Sequence, residues 1–242
     1  MTMYPFAYPE AGENVLTDIS FKAKKGQTIA VIGSTGSGKS TLINLIPRYY
    51  DVTKGSVKVD GVDVRDMTQK ELRDKLGYVP QKGVLFSGTI DSNIRYGKPE
   101  ITDAQVKEAA EVAQATEFID TKPEKYESPV SQGGTNVSGG QKQRLSIARA
   151  IAKDPEIFIF DDSFSALDFK TDSQLRKALK EYTKDATTVI VAQRISTILG
   201  ADQIIVLDDG HMAGIGTHKE LMANCEVYQQ IARSQLSEEE LA

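Results

Sequence analysis

The sequence predicts an α/β fold: a parallel sheet with helices packed on it, a small antiparallel β layer, and an all-helical subdomain inserted in the core. Three observations predict it. Thr28-Ile29-Ala30-Val31-Ile32, short, apolar and β-branched, leads through a glycine-rich loop into residues 40–46, which read as the start of a helix with an apolar face. Two more apolar runs, residues 156–162 and 187–192, read as buried strands. Residues 89–121 carry a helical pattern that no strand interrupts. The 242 residues suit one domain, 1–242, with the helical subdomain at about 86–153.

The loop is Gly33-Ser34-Thr35-Gly36-Ser37-Gly38-Lys39-Ser40-Thr41, which fits G-x-x-x-x-G-K-[ST] in the strand–loop–helix context that this phosphate-binding motif needs. Glycines let consecutive backbone N–H groups turn onto an anion where a side chain would block it, and the helix start adds unpaired N–H groups. Lys39 is placed to reach the outer phosphates, and the Ser40 hydroxyl to ligate Mg²⁺.

Taken in order, the chain opens with Tyr4, Phe6 and Tyr8 between prolines, a pattern against a long regular element. An aromatic here can stack on a base or pack at a strand edge, and the residues alone leave Tyr8 open between the two. Residues 14–25 alternate, with Val15, Thr17, Ile19 and Phe21 on one side, and predict a strand turning at Lys25-Gly26. Residues 55–64 alternate and break at Asp60-Gly61, a hairpin. Residues 67–75 read as a short helix. Gly77-Tyr78-Val79-Pro80 reads as a strand with Gln81 at its C-terminal end, the edge where parallel sheets hold ligands. A glutamine there can offer its carbonyl to Mg²⁺ and its amide to water or phosphate, or be an ordinary loop residue. The polar stretch 123–135, with Pro129 and Gly133-Gly134, reads as a loop.

Asn136-Val137-Ser138-Gly139-Gly140-Gln141 then opens another helix that ends before Asp154-Pro155. Its small residues and free N–H groups make a second anion-binding surface, although a plain serine cap explains Ser138 locally. The strand at 156–162 ends in Asp161 and Asp162. Beside a phosphate-binding loop such a strand supplies the Mg²⁺ ligand, here Asp161, and leaves Asp162 to act on the attacking water; a turn or helix cap is the other reading. A helix follows near 171–184, then the strand 187–192 ending at Gln193-Arg194. Residues 204–207 and 211–216 form a last strand pair around Asp208-Asp209-Gly210, and helices near 219–223 and 227–235 close the chain. His211 and His218 have no partners at metal-ligand spacing and read as surface or turn residues; residues 238–240 read as a solvated acidic end.

The net charge of −5 gives no basic field for nucleic acid. Cys225 is the single cysteine, so no internal disulfide can form, which fits a reducing compartment and a small packing residue. No apolar run approaches a membrane span and the N-terminus does not read as a signal peptide, so the chain is expected to be soluble by itself.

Together these motifs resemble the nucleotide-binding domain of an ABC transporter, over nearly the whole chain. Residues 33–41 resemble Walker A, Gln81 the Q-loop glutamine, Val137–Gln141 the family signature with Val for the usual Leu, 158–161 Walker B, and Ser165-Ala166-Leu167-Asp168 the D-loop. Leu85-Phe86-Ser87-Gly88-Thr89-Ile90 and Ala192-Gln193-Arg194-Ile195-Ser196-Thr197-Ile198 are similar to the exporter branch, and Tyr8 to the adenine-stacking aromatic. The resemblance implies a P-loop NTPase (RecA-like) core that binds ATP and Mg²⁺ and hydrolyses ATP. It also implies a dimer in which Ser138, Gly139, Gly140 and Gln141 of one domain serve the nucleotide on the partner's P-loop. Transmembrane domains of an exporter are the second implied partner, placing the domain at the cytoplasmic face of the membrane.

Four departures matter. Asp162 stands where the family usually has a catalytic glutamate, one methylene longer, and Gln193 where it usually has the switch histidine. Residues 128–135 depart from the exporters' Glu-Arg-Gly before the signature, and the N-terminal strand looks clipped, as in an excised domain. A near-consensus signature with an altered base and switch resembles the degenerate-site half of a heterodimeric exporter, whose intact subunit would be the partner. Two other readings are a regulatory ATP clamp with negligible hydrolysis and a soluble ABC ATPase of DNA repair or translation, which usually carries coiled-coil insertions or tandem domains.

Overall fold

The computed structural model describes residues 2–3 and 15–237. Tyr8, with the rest of 4–14, and residues 238–240 lie outside the described residues. Along the chain come β1 (Thr2–Met3), β2 (Thr28–Gly33), α1 (Lys39–Asn44), β3 (Gly55–Ser56), β4 (Lys58–Val59), β5 (Val62–Asp63), α2 (Gln69–Asp74) and β6 (Leu76–Val79). Then come β7 (Gly88–Thr89), α3 (Ile90–Ile94), α4 (Asp103–Val112), α5 (Thr116–Asp120), β8 (Pro129–Val130), α6 (Gly139–Ala152), β9 (Ile157–Asp161) and α7 (Phe169–Tyr182). β10 (Thr187–Val191), β11 (Gln203–Asp208), β12 (His211–Gly216), α8 (His218–Asn224) and α9 (Glu226–Gln235) complete it. The chain divides into two compact units, Met1–Leu76 with Thr187–Ala242, and Gly77–Ala186.

In the first unit the strands run β12-β11-β2-β10, with β2 parallel to both β10 and β11 and β12 antiparallel at the edge. β2 and β11 are buried on both faces, which is why they read as continuous apolar runs rather than alternating ones. Ala30, Ile32, Ile204 and Val206 pack with Leu221 of α8, Tyr228 and Ala232 of α9, and Cys225 at the junction between the two helices, so Cys225 is a packing residue. The expected hairpin forms between β4 and β5, with Asp60 and Gly61 at φ 51° and 82°, the positive values its two-residue turn requires.

Of the expected strand over 14–25, the described residues 15–25 form no continuous strand. Asp18 takes φ 51°, which breaks the extended backbone and shifts the buried set to Leu16, Ile19 and Phe21; only isolated bridging persists there, including a parallel bridge from Thr17 to His211. His218 is also not simply a surface residue: its Nδ1 lies 2.7 Å from the hydroxyl of Tyr228, which is fully buried. Gly210 closes the β11–β12 turn at φ 76°, and a Cβ there would lie 2.2 Å from Val15 O. Gly210→Ala is therefore expected to cost about 2–4 kcal/mol, from left-handed strain plus a backbone clash. Thermal unfolding checks this, with a fall of roughly 5–15 °C expected.

In the second unit β9 lies beside β6, and Phe158 and Phe160 present parallel rings with centroids 6.0 Å apart. α6 packs against α3 and α4, the helical insertion expected from the pattern. The stretch 123–135 is more than a loop, because Pro129–Val130 pairs antiparallel with Gly88–Thr89. Among the described residues no helix is long and apolar enough to cross a membrane.

Candidate functional site

The glycine-rich loop connects β2 to α1 in the first unit. Gly33, opposite Leu207 in the ladder, would carry a Cβ only 2.1 Å from Leu207 O, so the strand exit requires glycine. Gly36 and Gly38 sit at φ 85° and 94°, and Gly38 heads α1 without a side-chain cap. Lys39 folds back so that its ammonium donates to Gly33 O at 2.8 Å and Ser34 O at 2.6 Å. Ser34, Thr35, Gly36 and Ser40 are exposed, whereas Thr41 and Ser37 are buried. Among the described residues Ser37 Oγ has no hydrogen-bond partner, a capacity that they leave unused. Gln193, in the same unit, follows β10 and is exposed; its carbonyl accepts from Gln235 Nε2 at 2.8 Å.

The second unit brings Gln81 and Asp162 together. Gln81 Nε2 donates to Asp162 Oδ2 at 3.1 Å, and the Tyr78 hydroxyl lies 3.4 Å from Asp161 Oδ2. Both carboxylates are buried, Asp162 at φ 47°. The D-loop ends at Asp168, which caps α7 by accepting from Thr171 N at 3.0 Å, and bonds from Thr171 hold its carboxyl below the usual carboxylate range.

Ser138 caps α6 in a reciprocal box: Gln141 N donates to Ser138 Oγ at 3.2 Å and Ser138 N to Gln141 Oε1 at 3.0 Å. The local capping reading thus holds, and two of the N–H groups expected to be free are taken. Gly139 faces open space, where a Cβ would meet nothing within 4 Å.

Sequence reasoning missed the residues that hold these loops. Buried Gln143 donates through Nε2 to Pro80 O at 3.1 Å and accepts from Gly83 N at 2.9 Å, gripping the backbone on both sides of Gln81. Arg149 donates to Val84 O and Asn93 O, both at 2.8 Å, and lies over the rings of Phe86 and Tyr96. Burial pushes its guanidinium down to about 10, so it stays charged at neutral pH. Gln143 left a signal: a polar residue one turn before Ile147 on the apolar face of α6.

These groups fit a nucleotide and a hard cation. The loop offers left-handed glycines, an ammonium and an unused buried hydroxyl, which suits phosphate. Within the second unit Gln81 and Asp161 offer oxygen donors only, a carbonyl and a carboxylate, and in the first the Ser40 hydroxyl is another; oxygen donors suit Mg²⁺ rather than a softer metal.

The family model for ABC transporters matches residues 16–165. An uncharacterised ABC transporter ATP-binding protein of Mycobacterium tuberculosis (strain ATCC 25618 / H37Rv) is 50% identical over 233 residues, covering 95% of this chain and 40% of its own. A provisionally named multidrug export ATP-binding/permease protein of Staphylococcus aureus (strain NCTC 8325 / PS 47) is 46% identical over 226 residues, covering 93% and 39%. A solved structure described as a bacterial Atm1-family ABC exporter with ATP bound superposes with a TM-score of 0.92 at 37% identity, covering 98% of this chain and 41% of that one. The chain thus spans about two fifths of the length of the relatives it matches. With a matched family model over more than half its length and the loop, carboxylate and signature motifs in order, the chain belongs to the ABC transporter family, as an ATP-binding domain.

Proposed function

We propose that this domain binds Mg·ATP, closes on a second ATP-binding domain and powers export through membrane helices that lie outside these 242 residues. The observation that carries the nucleotide reading is the Lys39 ammonium held over left-handed glycines by the carbonyls of Gly33 and Ser34. The names of the exporter relatives support the transport reading, and the Staphylococcus relative's name joins ATP-binding and permease parts.

In this proposal Lys39 and the amides of residues 33–41 bind the β- and γ-phosphates and offset the charge that grows on them. Tyr8 stacks on the adenine. Ser40, Gln81 and Asp161 would hold Mg²⁺, which when bound would neutralise phosphate charge. Asp162 would accept the proton of the attacking water, and Gln193 would take the place of the family's switch histidine. Gln193 cannot carry a proton or a positive charge, and Asp162 reaches less far than glutamate, so this chain's own site turns over slowly. Ser138, Gly139, Gly140 and Gln141 complete the site of a different, catalytically intact subunit.

The experiment is ATP turnover of the mixed pair. Removing the partner's catalytic glutamate should lower turnover of the pair by about 100-fold or more, the contribution of a general base. Turnover left intact by that change sinks the heterodimer reading. A regulatory clamp that binds ATP without hydrolysing it is the second reading, favoured by the same two residues, and single-turnover hydrolysis at this chain's own site separates the two.

A further inference from the structure

We propose that Ser163 is a positioning residue for Asp162: its hydroxyl ties the turn after β9 to the strand end that carries Gln81, and so sets where the Asp162 carboxylate points. This rests on the reading of Asp162 as the base. Ser163 is 1% exposed, and its Oγ donates to Val79 O at 2.8 Å, the shorter of its two carbonyl contacts, with Asp161 O at 3.4 Å. A buried hydroxyl costs stability unless it is bonded, and a serine has one proton to donate, so that bond accounts for the residue being polar.

The surrounding bonds show what the tie controls. Two residues beyond Val79, Gln81 Nε2 holds Asp162 Oδ2 at 3.1 Å. Gln143 fixes that strand end from the other side, through Pro80 O and Gly83 N. The Asp162 carbonyl accepts from Ser165 Oγ at 3.0 Å. Asp162 itself sits at φ 47°, a conformation that persists only where surrounding structure holds it. Aspartate has one side-chain methylene, so its carboxylate goes where the backbone puts it; a longer glutamate can compensate through its extra torsion. Anchoring the turn therefore matters more with Asp162 than it would with glutamate, and displacements of about 1 Å are enough to cost catalysis heavily.

The test is a double-mutant cycle in the 242-residue chain with an independent spectroscopic readout. Ser163→Ala, shown to fold by thermal unfolding, should lower kcat for ATP by about 3- to 10-fold with KM unchanged. In the Asp162→Asn background the same change should lower nothing further, because its effect passes through Asp162. An equal fall in both backgrounds, or a change in KM alone, overturns the proposal. The second readout is the Gln81 side-chain amide in the ¹H–¹⁵N spectrum, identified by its loss in Gln81→Glu. Asp162→Asn and Ser163→Ala should both move it; an amide that Ser163→Ala leaves in place overturns the proposal whatever the turnover. If the amide moves but Asp162→Asn leaves turnover unchanged, the assignment of Asp162 as base falls and its positioning by Ser163 stands.

Discussion

Lys39→Ala is expected to remove the nucleotide response of this domain almost entirely while leaving its fold intact. The ammonium is held by the carbonyls of Gly33 and Ser34 at the loop, where it can exchange those partners for phosphate oxygens. Hydrogen bonds to charged groups contribute about 1.5–3 kcal/mol each. Losing one or two costs about 10- to 10⁴-fold in affinity. Ser34 is exposed, so water can replace the ammonium there in the variant, and the nucleotide-free unfolding temperature should move by only about 3 °C or less. Thermal unfolding with and without Mg·ATP measures both quantities. A variant still stabilised by ATP as strongly as the native chain would remove the loop from the proposal.

The second large effect is a gain. Asp162→Glu combined with Gln193→His should raise ATP turnover by at least about 10-fold, and up to the 10²–10⁴-fold that general base catalysis supplies. That range corresponds to about 3–5 kcal/mol of barrier. Opposing it, the backbone at Asp162 has φ 47°, a region where aspartate is enriched and glutamate is not. Such strain costs of order 1 kcal/mol or somewhat more, in the stability of the fold rather than in the barrier. The barrier term is the larger, so the net expectation is faster turnover by a slightly less stable protein. Steady-state ATPase assays of the two proteins decide it. If the native domain already matches the double variant, Asp162 is an adequate base and a homodimer becomes the simpler arrangement.

What was legible in the sequence follows from the range of the interactions involved. The phosphate loop, the Asp60-Gly61 hairpin and the helix start at Ser138 are built by residues within a few positions of one another, so spacing and residue type predict them. The break at Asp18 was not legible, because Val15, Thr17, Ile19 and Phe21 alternate as a strand would while the backbone turns left-handed between them. His218 read as a surface residue because its partner, Tyr228, lies one helix further on.

By itself the sequence determined the family and the α/β fold class, and named the groups proposed for phosphate and Mg²⁺, because each rests on short contiguous motifs. Only the tertiary structure decided how the second unit's carboxylates are held. Gln143 reaches Pro80 across 63 residues and Ser163 reaches Val79 across 84, separations at which no local pattern reports a contact. A buried polar side chain must find a partner, but which carbonyl it finds depends on how β6, β9 and α6 pack, and that is a property of the folded chain.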